Sequence, residues 1–415
     1  MAAVLAVLIA LLGLSSYLLY RLIAAPTTKT AAGSKPASTA GLEWVRSIYG
    51  TSNLPKDSFA QTQAAVSAAD GTIWVTDAKT DGLMHFTPDG RYLGILRSAE
   101  ASSPLVRPSR TAIGPDGLFY ICETTQDTVR VLRPDGSDAG SFGVPQPVSV
   151  AVSADHIAVG AVAGFAILKK TGEPIKVVGS RGKGDDQFDY VHGIAFSADG
   201  KTIYATDSYN NRLSAYDTNG KRLWMIRTGA PTNSASITNN MLTTKETSDT
   251  VLKGADALQL PLGLTVDSAG RIVVIDMYDC ALAVFEAKTG KFVGKYGDAG
   301  SEDGQFFYPV SVGYDPGRDW FTVADAMNAR IEIVRIPGSS GAGVIPAVNR
   351  TLAGPLRACL LPLLLLLLAI IAAVVVRAMR RRRANDVNEA GAEDVRLPAG
   401  VAVEPAGGDD EPFGD

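Results

Sequence analysis

The sequence predicts an all-β chain: a six-bladed β-propeller of four-stranded antiparallel blades, flanked by two transmembrane helices. Three observations carry that expectation. A pattern recurs six times along the chain, each copy is written in hairpin grammar, and two uninterrupted apolar runs of spanning length lie near the two ends.

Each copy opens on a turn followed by a short apolar run. Asp199-Gly200 leads into KTIYATDSYNNRLSAYDTNG, Ala269-Gly270 into RIVVIDMYDCALAVFEAKTG and Pro316-Gly317 into RDWFTVADAMNARIEIVR. Asp70-Gly71 leads into TIWVTDAKTDGLMHFTPDG and Asp116-Gly117 into LFYICETTQDTVRVLRPDG, and a degenerate copy, SADHIAVGAVAGFAILKKTG, starts at Ser153. The residue closing the second apolar run is Asp77, Glu123, Gly160, Asp207, Asp276 and Asp325 in turn, a period of about 50 residues. The one long interval, between Asp207 and Asp276, holds a Ser/Thr/Asn-rich insertion at 228–258.

Within a copy, runs rich in Val, Ile, Tyr and Phe are split by Asp-Gly, Asn-Gly or Thr-Gly turns, which is the signature of antiparallel hairpins. In the fourth copy GIAF (193–196), TIYA (202–205), LSAYD (213–217) and LWMI (223–226) supply four strands. No copy carries a helical stripe longer than two turns. Six four-stranded units describe a propeller, in which radial packing protects most strand edges. The last copy contains only three strands before a Gly/Ser stretch. EWVRSIYG (43–50) resembles the fourth-strand run KFVGKYG (291–297), so the N-terminal strand is expected to complete the last blade and leave no open edge. Cys122 then falls in the second blade and Cys280 in the fifth, too far apart for a disulfide, whose Cα atoms lie within about 7 Å.

These residues resemble NHL repeats. The fourth unit carries the pattern from GSRGKGDDQF (179–188) through Gly193-Ile194-Ala195 to Asp207, Asn210, Asn211 and Arg212. The sixth repeats it from GDAGSEDGQF (297–306) through Pro309 to Asp325, Asn328 and Arg330. The resemblance covers 43–336 and implies a membrane-anchored, bacterial NHL propeller. Departures are Gly160, Glu123, Asp279 and Ala281, and His192, which is read as standing where the pattern has proline. NHL propellers serve as ligand sensors, RNA-binding modules, interaction platforms and a few lyases, so the fold leaves the function open.

The expected organisation is an N-terminal transmembrane helix or signal anchor (1–25), a linker (26–41), the propeller (42–337), a Gly/Ser/Pro linker (338–355), a transmembrane helix (356–376) and a tail (377–415). Residues 358–376 carry no charge and are long enough to cross a bilayer. Residues 2–20 are also of spanning length; they read as an uncleaved anchor or a signal peptide. The missing basic n-region and the long apolar run favour the anchor. Arg377, Arg380, Arg381, Arg382 and Arg383 follow the second span and place the acidic, disordered tail in the cytoplasm and residues 27–355 outside it. The charges after the first span, Arg21, Lys29 and Lys35, argue for the opposite orientation; the denser arginine cluster outweighs them.

The recurring Asp77, Asp207, Asp276 and Asp325, with Arg212, Asn328 and Arg330, read as turn-holding residues, because a catalytic carboxylate would occur once. The three histidines, His85, His156 and His192, occupy non-equivalent strand positions, whereas a metal needs convergent ligands; no metal, cofactor or catalytic residue is assigned. Nucleic acid is excluded as a partner, since residues 41–350 hold 29 Lys+Arg against 34 Asp+Glu. The ligand-binding expectation falls on His192, Tyr209, Asn210, Tyr278, Tyr308 and Met327, on the face where the insertion also emerges. The sequence therefore predicts a non-enzymatic, membrane-integral, extracytoplasmic scaffold or sensor for a protein, peptide or cell-envelope glycan. The alternatives are a metal-dependent lyase or lactonase and a structural accessory of a membrane complex.

Overall fold

The structure, a computed structural model, describes residues 41–52, 54–228 and 248–340. Six sheets follow one another along the chain as blades 1 to 6: residues 62–96, 111–143, 147–178, 194–228, 261–296, and 309–335 completed by Glu43–Ile48. In blades 1 to 5 the strands follow chain order from the innermost outward; in blade 6 the N-terminal strand lies outermost, beside Arg330–Arg335. In blade 4 the expected strands appear at Ile194–Phe196, Thr202–Asp207, Arg212–Asp217 and Arg222–Thr228. Their turns use the residues the chain supplies: Asn219-Gly220 places Gly220 at φ +79°, a left-handed conformation that a side chain would strain.

The N-terminal strand does complete the last blade. Glu43–Ile48 pairs antiparallel with Arg330–Arg335, Glu43 opposite Arg335 and Ile48 opposite Ile331. The buried apolar residues divide into six clusters, each lying between two neighbouring blades, and one of these joins blade 6 to blade 1 through Ile48, Ile331, Ile333, Val75 and Phe86. The ring is closed by packing as well as by hydrogen bonds. Because each middle strand is covered by a blade on both sides, Ile272, Val273, Val274 and Ile275 are all fully buried. That is why such strands read as continuous apolar runs instead of alternating ones.

Two expectations change. The residue of blade 3 equivalent to the closing aspartate is Ala161, not Gly160: Ala161 pairs with Pro147 as Asp325 pairs with Pro309. Gly160 sits one residue earlier, where a β-carbon would come within 2.2 Å of Ser149 Oγ. The insertion also does more than form a loop. Ser248–Leu252 adds a fifth strand, parallel to Arg222–Thr228, on the outer edge of blade 4, and Leu252 and Leu258 pack into the blade 4–blade 5 cluster. Cys122 and Cys280 are free and buried. The apolar runs at 2–20 and 358–376, Cys359 and the arginine cluster lie outside the described residues; among the described ones no helix is long and apolar enough to cross a membrane.

Candidate functional site

The upper face carries the turns between second and third strands and the loops that pass from one blade to the next. The Asp-Asn-Arg sets hold this face together. Asp325 accepts from Phe307 N (2.7 Å), Asn328 Nδ2 (2.7 Å) and Arg330 Nε (2.9 Å), while Arg330 donates onward to the carbonyls of Ser301, Glu302 and Gln305. Asp207 does the same with Asp189 N, Asn210 and Arg212, and Arg212 reaches Gly184 O at 2.8 Å. The arginine thus grips the loop entering its own blade, not a neighbouring blade. Asp77 accepts from Gln61 N (2.9 Å) and Lys79 N (3.0 Å) without an arginine. In blade 5, where Ala281 replaces the arginine, Lys295 of the outer strand supplies the charge to Asp276 at 2.7 Å. In blade 2 Glu123 accepts from Val106 N and faces Arg130 at 3.8 Å.

A register break shapes the inner end of these loops. In blades 1, 3, 5 and 6 the register shifts between the first and second strands; in blade 6 Pro309 pairs with Asp325 and Ser311 with Ala324, so Val310 is bulged out. Blade 4 follows the same course: Thr206 N donates to Gly193 O and Ser208 N to Tyr190 O, and Tyr190, like Tyr308 just before Pro309, has a positive φ. The residue in the proline position is therefore Val191, and His192 occupies the bulge. His192 lines the central channel, its Nδ1 3.0 Å from Ser208 Oγ and its ring stacked on Tyr190 with centroids 5.2 Å apart.

The channel is a cavity of about 480 Å³ walled by the innermost strands. At its upper end the residue after the bulge is Ala64, Ser149, Gly193, Gly263 and Ser311 in five blades, and Arg110 in blade 2. The small residues leave room that Arg110 fills: it donates to Gln63 O of blade 1 and, at 2.8 Å, to Val310 O of blade 6. Burial draws the guanidinium down to about 10, so it stays charged at neutral pH. Burial, and then the Arg110 charge, push His192 down to about 4. In the unfolded chain this histidine would take up its proton near 6.5. The unfolded state thus binds the proton first on acidification, and the stability present above pH 6.5 is lost as pH falls to 4, by about 3 kcal/mol. Urea unfolding at pH 7 and pH 4.5 should show this loss in the wild type and a smaller one in His192→Gln; equal losses would count against it.

Six aromatic or sulfur-bearing side chains form an arc over blades 4 to 6. Tyr209 (55% exposed), Tyr278 (60%) and Met327 (58%) stand on successive second-to-third-strand turns. Tyr190, Phe307 and Tyr308 come from the loops beside them, with Tyr278–Tyr308 at 6.2 Å and Tyr190–Tyr209 at 5.2 Å. The structure thus brings His192 beside Tyr209, and Tyr278 beside Tyr308. Asn210 faces inward to structure, its Nδ2 donating to Gly182 O (2.9 Å) and to Asp207. Tyr190, Phe307 and Arg110 were not singled out in the sequence. Alignment on the positive-φ residues Arg107, Gln146, Tyr190, Leu260 and Tyr308 matches Tyr190 with Tyr308 and Arg110 with Ser311. Among the described residues no three His, Cys, Asp or Glu side chains gather in a metal-holding group.

Closed ring, channel and upper face define a six-bladed propeller with four-stranded blades. No family model matches the chain. The human protein NHL repeat-containing protein 3 is 32% identical over 90 residues, which are 21% of this chain and 25% of that protein, so the likeness spans a quarter of its length. A gluconolactonase of Xanthomonas campestris superposes with a TM-score of 0.50 at 14% identity, covering 75% of this chain and 99% of the other, and supports the fold alone. A streptogramin B lyase gives 0.48 at 13% identity over 72% and 99%.

Proposed function

We propose that this propeller is a recognition module, held outside the cytoplasm by the apolar segments at 2–20 and 358–376, that receives a protein, peptide or cell-envelope glycan on its upper face. The observation that carries this reading is the exposed arc of Tyr209, Tyr278, Phe307, Tyr308 and Met327 over three consecutive blades. Water-exposed aromatics gathered on one face, when the equivalent turns of blades 1 to 3 carry Lys79, Thr125 and Ala163, are the composition of a binding surface. The Asp-Asn-Arg sets of blades 4 and 6 and the Lys295–Asp276 pair of blade 5 hold the turns, so little ordering cost opposes binding. The cluster Arg377–Arg383 would set the orientation.

A photo-crosslinking side chain placed at Tyr278 in the full chain, in its own membrane, should give a discrete adduct, whereas one at Leu93 on the outer edge of blade 1 should not. Tyr308→Ala should weaken that adduct about tenfold, the effect of losing a central aromatic anchor. Equal adducts from positions 278 and 93, or none from either, would defeat the reading.

A further inference from the structure

Arg110 poses a question that its role as a brace between blades leaves unanswered. A lysine-sized donor or a bound water would satisfy two carbonyl oxygens; a guanidinium brings a full charge into the channel. Among the described residues no carboxylate forms an ion pair with it. The acidic side chains that line the channel, Asp155 and Asp199, belong to the first hairpin turns, at the opposite end of the inner strands. The buried arginines Arg130, Arg212 and Arg330 each have an acidic partner within 4.0 Å. A charge desolvated without a partner is costly, and proteins that retain one use it.

We propose that the upper mouth of the channel binds the carboxylate of a small organic acid, with Arg110 as its charge partner and His192 as a second donor. Arg110 has five N–H groups and spends two on Gln63 and Val310, which leaves three for a ligand. A guanidinium edge matches a planar carboxylate, and hydrogen bonds of this charged kind are about twice as strong as neutral ones. On the facing wall His192 is neutral at physiological pH. When Ser208 donates its hydroxyl proton to Nδ1, Nε2 carries the ring hydrogen and donates into the same cavity. Below the mouth the inner strands present Val66, Ala112, Ala151 and Ala195, a narrow apolar wall for the body of the acid. The cavity of about 480 Å³ lies in the range of small-molecule sites. Phosphate is disfavoured, because a single cation meets its double charge and the carbonyls of Gln63 and Val310 point at the same place. His192 also touches the Tyr190–Tyr209 end of the aromatic arc, but Arg110 has no part in the arc, so the Arg110 variants test the channel site apart from the proposed upper-face function.

The three histidines of the chain make a direct readout available. In the full-length protein, the C2–H resonance of His192 is titrated by NMR alone and with benzoate, hexanoate, benzamide or inorganic phosphate. Benzoate and hexanoate, by neutralising Arg110, should raise the His192 midpoint from its depressed value of about 4 by about one unit, and benzamide should not. Arg110→Gln should raise the midpoint without ligand and abolish the response. Arg110→Lys, which keeps the charge and loses the planar fork, should retain the depressed midpoint with at least tenfold weaker binding. Arg107→Gln, an exposed arginine of the same loop, should change neither. A response to benzamide equal to that of benzoate, an equal response to phosphate, or a response that survives in Arg110→Gln would overturn the assignment. If Arg110→Gln fails to fold, the lysine variant and the benzoate–benzamide contrast decide alone.

Discussion

Replacing Arg330 by methionine is expected to lower the unfolding free energy by about 3–5 kcal/mol, the cost of breaking a buried ion pair from one side. Arg330 is 1% exposed and is one of the largest fully buried side chains of the propeller. It serves two carboxylates, Asp325 at 2.9 Å and Glu332 at 3.0 Å, and three backbone carbonyls of the loop entering blade 6. Methionine fills a similar volume, so the loss would come from unpaired polar groups and not from a cavity. Asp325 would keep Phe307 N and Asn328, but Glu332 would keep only the weaker contacts from Ser47 Oγ (3.2 Å) and Gly304 N (3.3 Å). The sign of the pH dependence follows. Burial pushes the Glu332 carboxyl up to about 8, with Arg330 opposing that shift. A folded-state value raised above the unfolded one gives stability at low pH that is lost as pH climbs through it. Without Arg330 the value rises further, so the deficit should be larger at pH 9 than at pH 6. Urea midpoints at the two pH values test this; a loss under about 1 kcal/mol, or one independent of pH, would show that the network is not energetically coupled. By contrast, the surface pair Arg335–Glu43 should be worth less than about 1 kcal/mol.

The propeller was legible because its information is local and repeated. Asp-Gly and Asn-Gly turns mark hairpins whatever their surroundings, and six copies make the count insensitive to one degenerate unit such as 153–172. Even the closing strand could be read, since EWVRSI carries the outer-strand pattern of FVGKY at Phe292–Tyr296. What escaped is information that exists only between strands. A β-bulge is a two-against-one register, and nothing in the run Val191-His192-Gly193 announces which residue is extruded. His192 was therefore aligned one residue early, and Gly160 one residue away from the true counterpart of Asp325. Arg110 escaped for a related reason: its meaning lies in the smallness of Ala64, Ser149, Gly193, Gly263 and Ser311 at the same level of the channel. The strand Ser248–Leu252, sequence SDTVL, escaped because a parallel partner at the edge of a finished blade leaves no hairpin turn to find. The aromatic rim was legible residue by residue, but its two halves, Tyr190–His192–Tyr209 and Tyr278–Phe307–Tyr308, were assembled only by the loops that the Asp-Asn-Arg sets hold.

Exchanging Glu43–Ile48 for a Gly/Ser segment of equal length is expected to cost more than about 5 kcal/mol and to remove the single cooperative unfolding transition. Ile48 alone, buried at 1% exposure against Ile331, Ile333 and Phe86, accounts for about 2–5 kcal/mol as Ile48→Ala. The ladder to Arg330–Arg335 adds several hydrogen bonds at about 1 kcal/mol each. The larger consequence is topological. Apart from the Arg110 brace to blade 6, each blade packs against its two neighbours, so an intact ring has no end from which to fray, whereas an opened one has a blade 6 with an unpaired edge. The variant should therefore unfold in separate steps when followed by fluorescence and by circular dichroism, and should associate through that edge. Val177→Ser on the outer strand of blade 3, 67% exposed, changes stability by no more than about 0.5 kcal/mol and serves as the control. The converse variant tests the same idea from the other side. Glu43 and Arg335 are directly paired across the closure and 292 residues apart, so a disulfide from Glu43→Cys with Arg335→Cys closes nearly the whole ring. It should add about 2–4 kcal/mol under oxidising conditions and nothing when reduced. If the Gly/Ser variant still unfolds in one step, or the disulfide brings no stabilisation, then the inter-blade clusters alone hold the ring and the N-terminal strand is an ornament upon it.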